Sequence, residues 1–167
     1  MFLKDLQAIN KNKTMRKLYK NFLTKEEAES LINDRIGYSA TKKIKQVDNP
    51  IIEKVINKLI EDFNCKIKDE SYVNIETTRP TGHGWHLDTG RSEKIPVGHM
   101  EWCQVGATLL LQEAEDGGGS TYYADDHKET NKVKVNRALY DLCAHTSDEW
   151  HMVEGTSGGR IVLLLFI

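Results

Sequence analysis

His86 and Asp88 stand two residues apart in Trp85-His86-Leu87-Asp88. On an extended strand, residues two apart face the same side, so an imidazole and a carboxylate at this spacing can grip one metal ion. Two donors do not fix an ion, and a third must come from a distant segment facing the first. The candidates are His83, His99, His127, His145 and His151, of which His151 opens the penultimate apolar segment. Two histidines and one carboxylate on one side of an ion leave the opposite positions open. That donor set suits non-haem Fe(II) and oxygen chemistry, and it is also close to a three-ligand hydrolytic zinc site. Arg160 is the only charge between Gly158 and Ile167. A charge among apolar strand residues needs an anion, and a guanidinium matches a carboxylate through two parallel hydrogen bonds. Arg160 therefore suits the far end of a dicarboxylate.

Two kinds of element must position these residues. Through residue 64 the apolar spacing predicts helices. Leu3, Leu6 and Ile9 recur at helical intervals, as do Met15, Leu18, Tyr19 and Phe22. Thr24-Lys-Glu-Glu27 is a capping box that opens a helix through Ala28, Leu31 and Ile32. Asp48 or Asn49 caps a second helix, with Pro50 in its first turn and an apolar face from Ile51 to about Phe63. Residues 37–46 read as a loop or short strand between them. From Cys65 onward the period is two. Strands are predicted at Tyr72 to Thr77, Trp85 to Asp88, Val105 to Gln112, Ser120 to Ala124, Arg137 to Leu142, His151 to Glu154 and Arg160 to Phe166. Glycine turns at Glu115–Gly119 and Gly155–Gly159 separate several of them. Short strands between glycine turns imply a barrel or sandwich, and helices followed by strands imply an α+β fold with helices on one sheet.

The 167 residues suit one domain, with 1–64 as helical support and 65–167 as a β core. The longest apolar run, Ile161 to Ile167, is too short to cross a bilayer, so no membrane-spanning helix is expected. Met1-Phe2-Leu3-Lys4 meets Asp5 at once, which leaves no signal-peptide core. Cys65, Cys103 and Cys143 are odd in number and form no CxxC pair, which fits a reducing cytoplasm. Residues 1–60 hold 13 Lys/Arg against 7 Asp/Glu, and the remainder holds 10 against 18. The basic stretch Lys11, Lys13, Arg16, Lys17, Lys20 allows a nucleic-acid partner, but it lacks the interleaved aromatics that stack bases.

Trp85-His86-Leu-Asp88, the strand Ala107 to Gln112, Asp116-Gly-Gly-Gly-Ser-Thr121, Asn136-Arg-Ala-Leu-Tyr140 and Trp150-His151…Gly159-Arg160 occur in that order. Together they resemble the Fe(II)- and 2-oxoglutarate-dependent dioxygenases, in particular the prolyl 4-hydroxylase-like branch. Asn21 to Ile32 resembles the helix that opens that branch's domain. The resemblance implies a double-stranded β-helix with N-terminal helices packed on its major sheet. It implies Fe(II) on His86, Asp88 and His151, and 2-oxoglutarate on Arg160 through its C5 carboxylate. It further implies O2 as oxidant, succinate and CO2 as products, and possible stimulation by ascorbate. His151 is favoured over His145 because Gly-Gly-Arg follows it at the family's spacing. Where the family often has a tyrosine before the first metal histidine, this chain has Glu76 and Thr77. Tyr72, Thr108 and Thr121 are the polar residues that could serve the C1 side instead. Thr89 to Glu101 reads as a polar lid over substrate. The substrate implied is a proline-containing protein or peptide; a small molecule, an alkylated nucleic acid, or zinc-based hydrolytic or structural chemistry are the alternatives.

Overall fold

The computed structural model describes residues 14–34 and 41–167. The helix expected around Leu3, Leu6 and Ile9 lies outside them, as do Lys11, Lys13 and part of the 37–46 connection. The chain begins with strand β1 (Arg16–Tyr19), helix α1 (Lys25–Asp34), the two-residue strand β2 (Lys42–Lys43) and helix α2 (Pro50–Phe63). Eight strands follow: β3 (Tyr72–Thr77), β4 (His83–His86), β5 (Val105–Gln112), β6 (Thr121–Ala124), β7 (Val133–Lys134), β8 (Leu142–Thr146), β9 (Trp150–Val153) and β10 (Ile161–Phe166).

Local chemistry accounts for both helix starts. Thr24 Oγ1 accepts the Glu27 N–H at 3.1 Å, and the Glu27 carboxylate accepts the Thr24 N–H at 2.9 Å, the reciprocal capping box. Asn49, not Asp48, caps α2: its Oδ1 accepts the N–H groups of Ile51 at 2.9 Å and Ile52 at 3.2 Å. Pro50 follows where no intrahelical donor is needed. Asn49→Ala is expected to cost about 1 kcal/mol. A thermal melt should register this as a Tm lower by about 2–4 °C.

The strands form two antiparallel sheets. The larger has the order β1-β8-β5-β10-β3-β2 and the smaller β4-β9-β6-β7. Alternation along each strand then sorts residues into two layers. On the larger sheet Val73, Ile75, Val105, Ala107, Leu109, Leu111, Leu142, Ala144, Leu163 and Leu165 turn toward the helices. There they share one core with Leu31, Ile52, Val55 and Leu59. The intervening positions, among them Asn74, Gly106, Thr108, Cys143, His145 and Leu164, line a cavity on the other side. The smaller sheet supplies His86, Thr121, Tyr123, His151 and Val153 to the same cavity. This two-sheet arrangement with helices backing the larger sheet is a double-stranded β-helix, as the family resemblance implies. No helix among the described residues is long and apolar enough to cross a membrane.

Three expected elements are corrected. Met15 to Phe22 do not form a helix. Arg16–Tyr19 pair with β8, Arg16 opposite His145 and Tyr19 opposite Leu142. The spacing of Met15, Leu18, Tyr19 and Phe22 fits a helix, but the segment instead covers the β8 edge, whose backbone groups would otherwise lack partners. Leu18 accordingly stays exposed. The strand expected over Arg137 to Leu142 begins at Leu142, because Asp141 turns the chain: its carboxylate accepts N–H groups from Ala138 and Asn21 and pairs with Lys20. The Trp85–Asp88 strand is shifted to His83–His86, and Asp88 lies in the turn that follows.

Candidate active site

The smaller sheet sets the first half of the site through register. His86 on β4 stands directly opposite His151 on β9, and His151 stands opposite Tyr123 on β6. All three side chains therefore face inward in one row. Asp88 reaches the row from its turn. Its Oδ1 lies 3.3 Å from His151 Nε2 and 3.7 Å from His86 Nε2. One ligand atom from each of His86, Asp88 and His151 falls within 4.8 Å of the other two, close enough to share one ion. His86 and Asp88 thus lie close together, but a strand end and a turn bring them there, not one face of a single strand.

The tautomers suit metal binding. His86 Nδ1 lies 2.7 Å from the Gly84 carbonyl, and His151 Nδ1 lies 2.9 Å from the Glu149 carbonyl. A carbonyl only accepts, so each Nδ1 carries a proton and each Nε2 is the nitrogen available to an ion. Burial, with His151 nearby, pushes His86 down to about 3, so it is neutral and ready to ligate. Burial alone would lower His151, but the Asp88 carboxylate beside it raises it on balance. For Asp88 burial acts upward, and the imidazoles of His151 and His145 outweigh it, holding the carboxyl well below the ordinary range. His83, by contrast, stacks on His86 with ring centroids 3.7 Å apart and stays outside the donor set. His99 lines the cavity from the loop, and the His127 ring lies tilted against Trp150, outside the cavity lining.

Arg160 precedes β10 and is buried. Its Nη1 donates to Thr78 Oγ1 at 2.8 Å, and no carboxylate among the described residues forms an ion pair with it. Gly119 makes room for it. This residue has φ +85°, and a side chain there would overlap the Arg160 stem. Burial and the like charge of Arg137 bring Arg160 down to about 10, which leaves it cationic at neutral pH. Arg137 donates from Nη2 to the Thr108 carbonyl, while its buried Nε and Nη1 find no acceptor. Glu76 pairs in register with Val162, two residues after Arg160; burial raises its carboxyl above the ordinary range, and Arg79 and Arg160 act the other way. Two guanidinium groups that form no ion pair with a carboxylate among the described residues make this end of the cavity suited to an anion. The cavity has a volume of about 490 Å3 and reaches from Arg160 and Arg137 to the His86–Asp88–His151 row. Tyr72, Glu76, Thr108 and Thr121 all line it, whereas Thr77 is exposed.

Thr89 to Glu101 contains no strand or helix and runs past the cavity. Its base is cross-braced: the Thr89 carbonyl accepts the Met100 N–H at 3.0 Å, and Arg91 Nε donates to Glu101 at 2.6 Å. Ile95 and Val97 at its tip are exposed. Sequence reasoning missed Thr78, Tyr123 and the inward placement of His145. Strand alternation from Cys143 would have found His145, had β8 been placed correctly.

The fold defines the class, a double-stranded β-helix of the kind found in prolyl 4-hydroxylases. The viral collagen prolyl hydroxylase of Paramecium bursaria Chlorella virus-1, solved as a 2OG complex, superposes with a TM-score of 0.63 at 18% identity. The match covers 90% of this chain and 93% of that one. A prolyl-4-hydroxylase from Pseudomonas putida gives 0.62 at 16% identity, covering 91% and 83%. A Trichoplax adhaerens prolyl hydroxylase, in complex with a hypoxia-inducible-factor oxygen degradation domain peptide fragment, gives 0.56 at 16%, covering 96% and 86%. No protein-family model matches the sequence, and no curated protein is similar to it.

Proposed function

We propose that this protein is an Fe(II)- and 2-oxoglutarate-dependent dioxygenase formed by one domain over residues 1–167, with a peptidyl proline as its substrate. The observation that carries the proposal is one cavity holding both a two-His-one-carboxylate donor set and a buried arginine that forms no ion pair among the described residues. Each feature alone has other uses; together they match an ion at one end and a dicarboxylate at the other. The donor set fits Fe(II), since two imidazoles and one carboxylate suit non-haem iron and leave positions open.

In this reading His86 Nε2, His151 Nε2 and Asp88 hold Fe(II), and Arg160, supported by Thr78, receives the C5 carboxylate. Fe(II), 2-oxoglutarate and O2 would then supply an oxidative decarboxylation, giving succinate and CO2, coupled to substrate hydroxylation. The protein's contribution is placement. Arg160 fixes the far end of the cosubstrate, the carbonyls of Gly84 and Glu149 hold the two imidazoles in ligating tautomers, and the apolar wall of Val162, Leu164 and Phe166 limits water. The Thr89–Glu101 loop borders the side from which a peptide would enter. Peptide substrates are favoured by the fold shared with a hydroxylase solved with a peptide fragment. A cytoplasmic setting agrees with three free, buried cysteines.

Anaerobic addition of Fe(II) and then 2-oxoglutarate is expected to give a weak visible charge-transfer band, and O2 is then expected to release succinate slowly. A screen of proline peptides should accelerate that release. Tight zinc binding with no response to 2-oxoglutarate would overturn the proposal in favour of a hydrolytic or structural metal site.

A further inference from the structure

We infer that His145 is a positioning residue for the metal centre: it holds one oxygen of Asp88 aside, so that this carboxylate ligates through its other oxygen alone. The inference rests on the reading of His86, Asp88 and His151 as a metal site. It concerns a histidine outside that set.

The two oxygens of Asp88 have different surroundings. Oδ1 faces the Nε2 atoms of His151 and His86, at 3.3 and 3.7 Å. Oδ2 faces His145 Nε2 at 2.8 Å. A carboxylate only accepts, so His145 carries its proton on Nε2. Its Nδ1 is then the acceptor for the Tyr123 hydroxyl, also at 2.8 Å. The phenol oxygen in turn lies 3.1 Å from Cys143 Sγ, which can donate to it. The donors thus run one way, from Cys143 through Tyr123 and His145 to Asp88. His86 and His151 have the opposite tautomer, with Nδ1 protonated toward a backbone carbonyl. Three imidazoles surround one carboxylate. Two can offer a lone pair to an ion, and the third offers a proton to the carboxylate.

The fold makes room for this arrangement. His145 on β8 pairs in register with Gly106 on β5, and a methyl group at 106 would overlap Asp88 Oδ2. The His145 ring is buried between His151, 4.1 Å away, and Tyr123, 5.3 Å away. A carboxylate that binds an ion through both oxygens fills two positions, and one held through a single oxygen fills one. His145 thereby keeps open a position that a chelating 2-oxo acid and O2 together require. Hydrogen-bond partners of metal ligands commonly contribute 10–100-fold in affinity.

The test uses Co(II) as the probe, with the full chain, reading affinity by calorimetry and coordination by the visible Co(II) spectrum. His145→Leu keeps bulk and removes the donor; His145→Gln restores an N–H. His145→Leu is expected to weaken Co(II) binding by roughly 10–100-fold and to alter the visible band intensity, while His145→Gln recovers most of both. Wild-type affinity and spectrum in His145→Leu would overturn the inference. So would a loss as complete as that of His86→Ala, which would make His145 a ligand. If the leucine variant does not melt cooperatively, His145→Ala is read against the same two outcomes. Failure of the wild-type protein to bind Co(II), or indifference of binding to His86→Ala, would instead strike the metal-site reading itself.

Discussion

Replacing His86 with alanine should lower Fe(II) or Co(II) affinity by more than about 100-fold, beyond what losing an outer hydrogen-bond partner costs. His86 is the most informative of the three residues because its side chain is 22% exposed, against 3% for Asp88 and 8% for His151. Truncating a partly exposed ring leaves little cavity. The apo variant should therefore melt within a few degrees of the parent, and the affinity loss is then a ligand effect, not unfolding. Asp88→Ala should lose metal at least as completely, but with a lower apo Tm. It strips a buried acceptor from His145 and an anionic neighbour from His151, and a polar group left buried without its partner costs about 1–3 kcal/mol. Calorimetric titration beside a melt separates the two effects. An unchanged affinity in His86→Ala would remove this residue from the site.

Arg160→Met carries the second large effect, and it has opposite signs in the apo and bound states. Arg160 is a buried cation whose hydrogen bond goes to a hydroxyl, not a carboxylate. Removing an uncompensated buried charge while keeping side-chain volume is often neutral or stabilising. The apo variant should melt no lower than the parent. Binding of 2-oxoglutarate should fall by at least about 2 kcal/mol, the low end for truncating one side of a buried charge pair, or roughly 30-fold in Kd. A 2-oxo acid without the distal carboxylate should bind parent and variant alike. Titration of both acids into the Mn(II)-loaded proteins measures this. Equal affinity of the variant and the parent for 2-oxoglutarate would show that the distal carboxylate lies elsewhere.

Much of the fold was legible because alternation in β3 and the near-continuous apolar runs of β5 and β10, set between glycine turns, left few ways to bury their faces. The helix caps at Thr24 and Asn49 were legible because they are local, set by side chains reaching two or three residues along. What escaped was set by distant partners. β1 reads as a helix on its own and becomes a strand only against the β8 edge. β8 starts later than alternation suggested because Asp141 is tied to Lys20 and Asn21, more than a hundred residues earlier. The four residues proposed for the site were visible from residue type, spacing and family likeness. The Asp88–His145–Tyr123 chain was not, since no sequence interval announces a hydrogen bond across two sheets.

The order of the larger sheet also bears on how the molecule is made. β3 and β5 do not pair with each other; β10 lies between them and is hydrogen-bonded to both. Tyr72 meets Phe166, and Phe166 also meets Gly106. The strand that joins them leaves the ribosome after both, so the larger sheet stays split while they emerge. Pairings this distant in sequence fold slowly and leave apolar edges uncovered in the interval. The row of His86 and His151 is bound by the same schedule, since β9 is also late. The protein should depend on slow growth or chaperones for yield more than its modest size suggests.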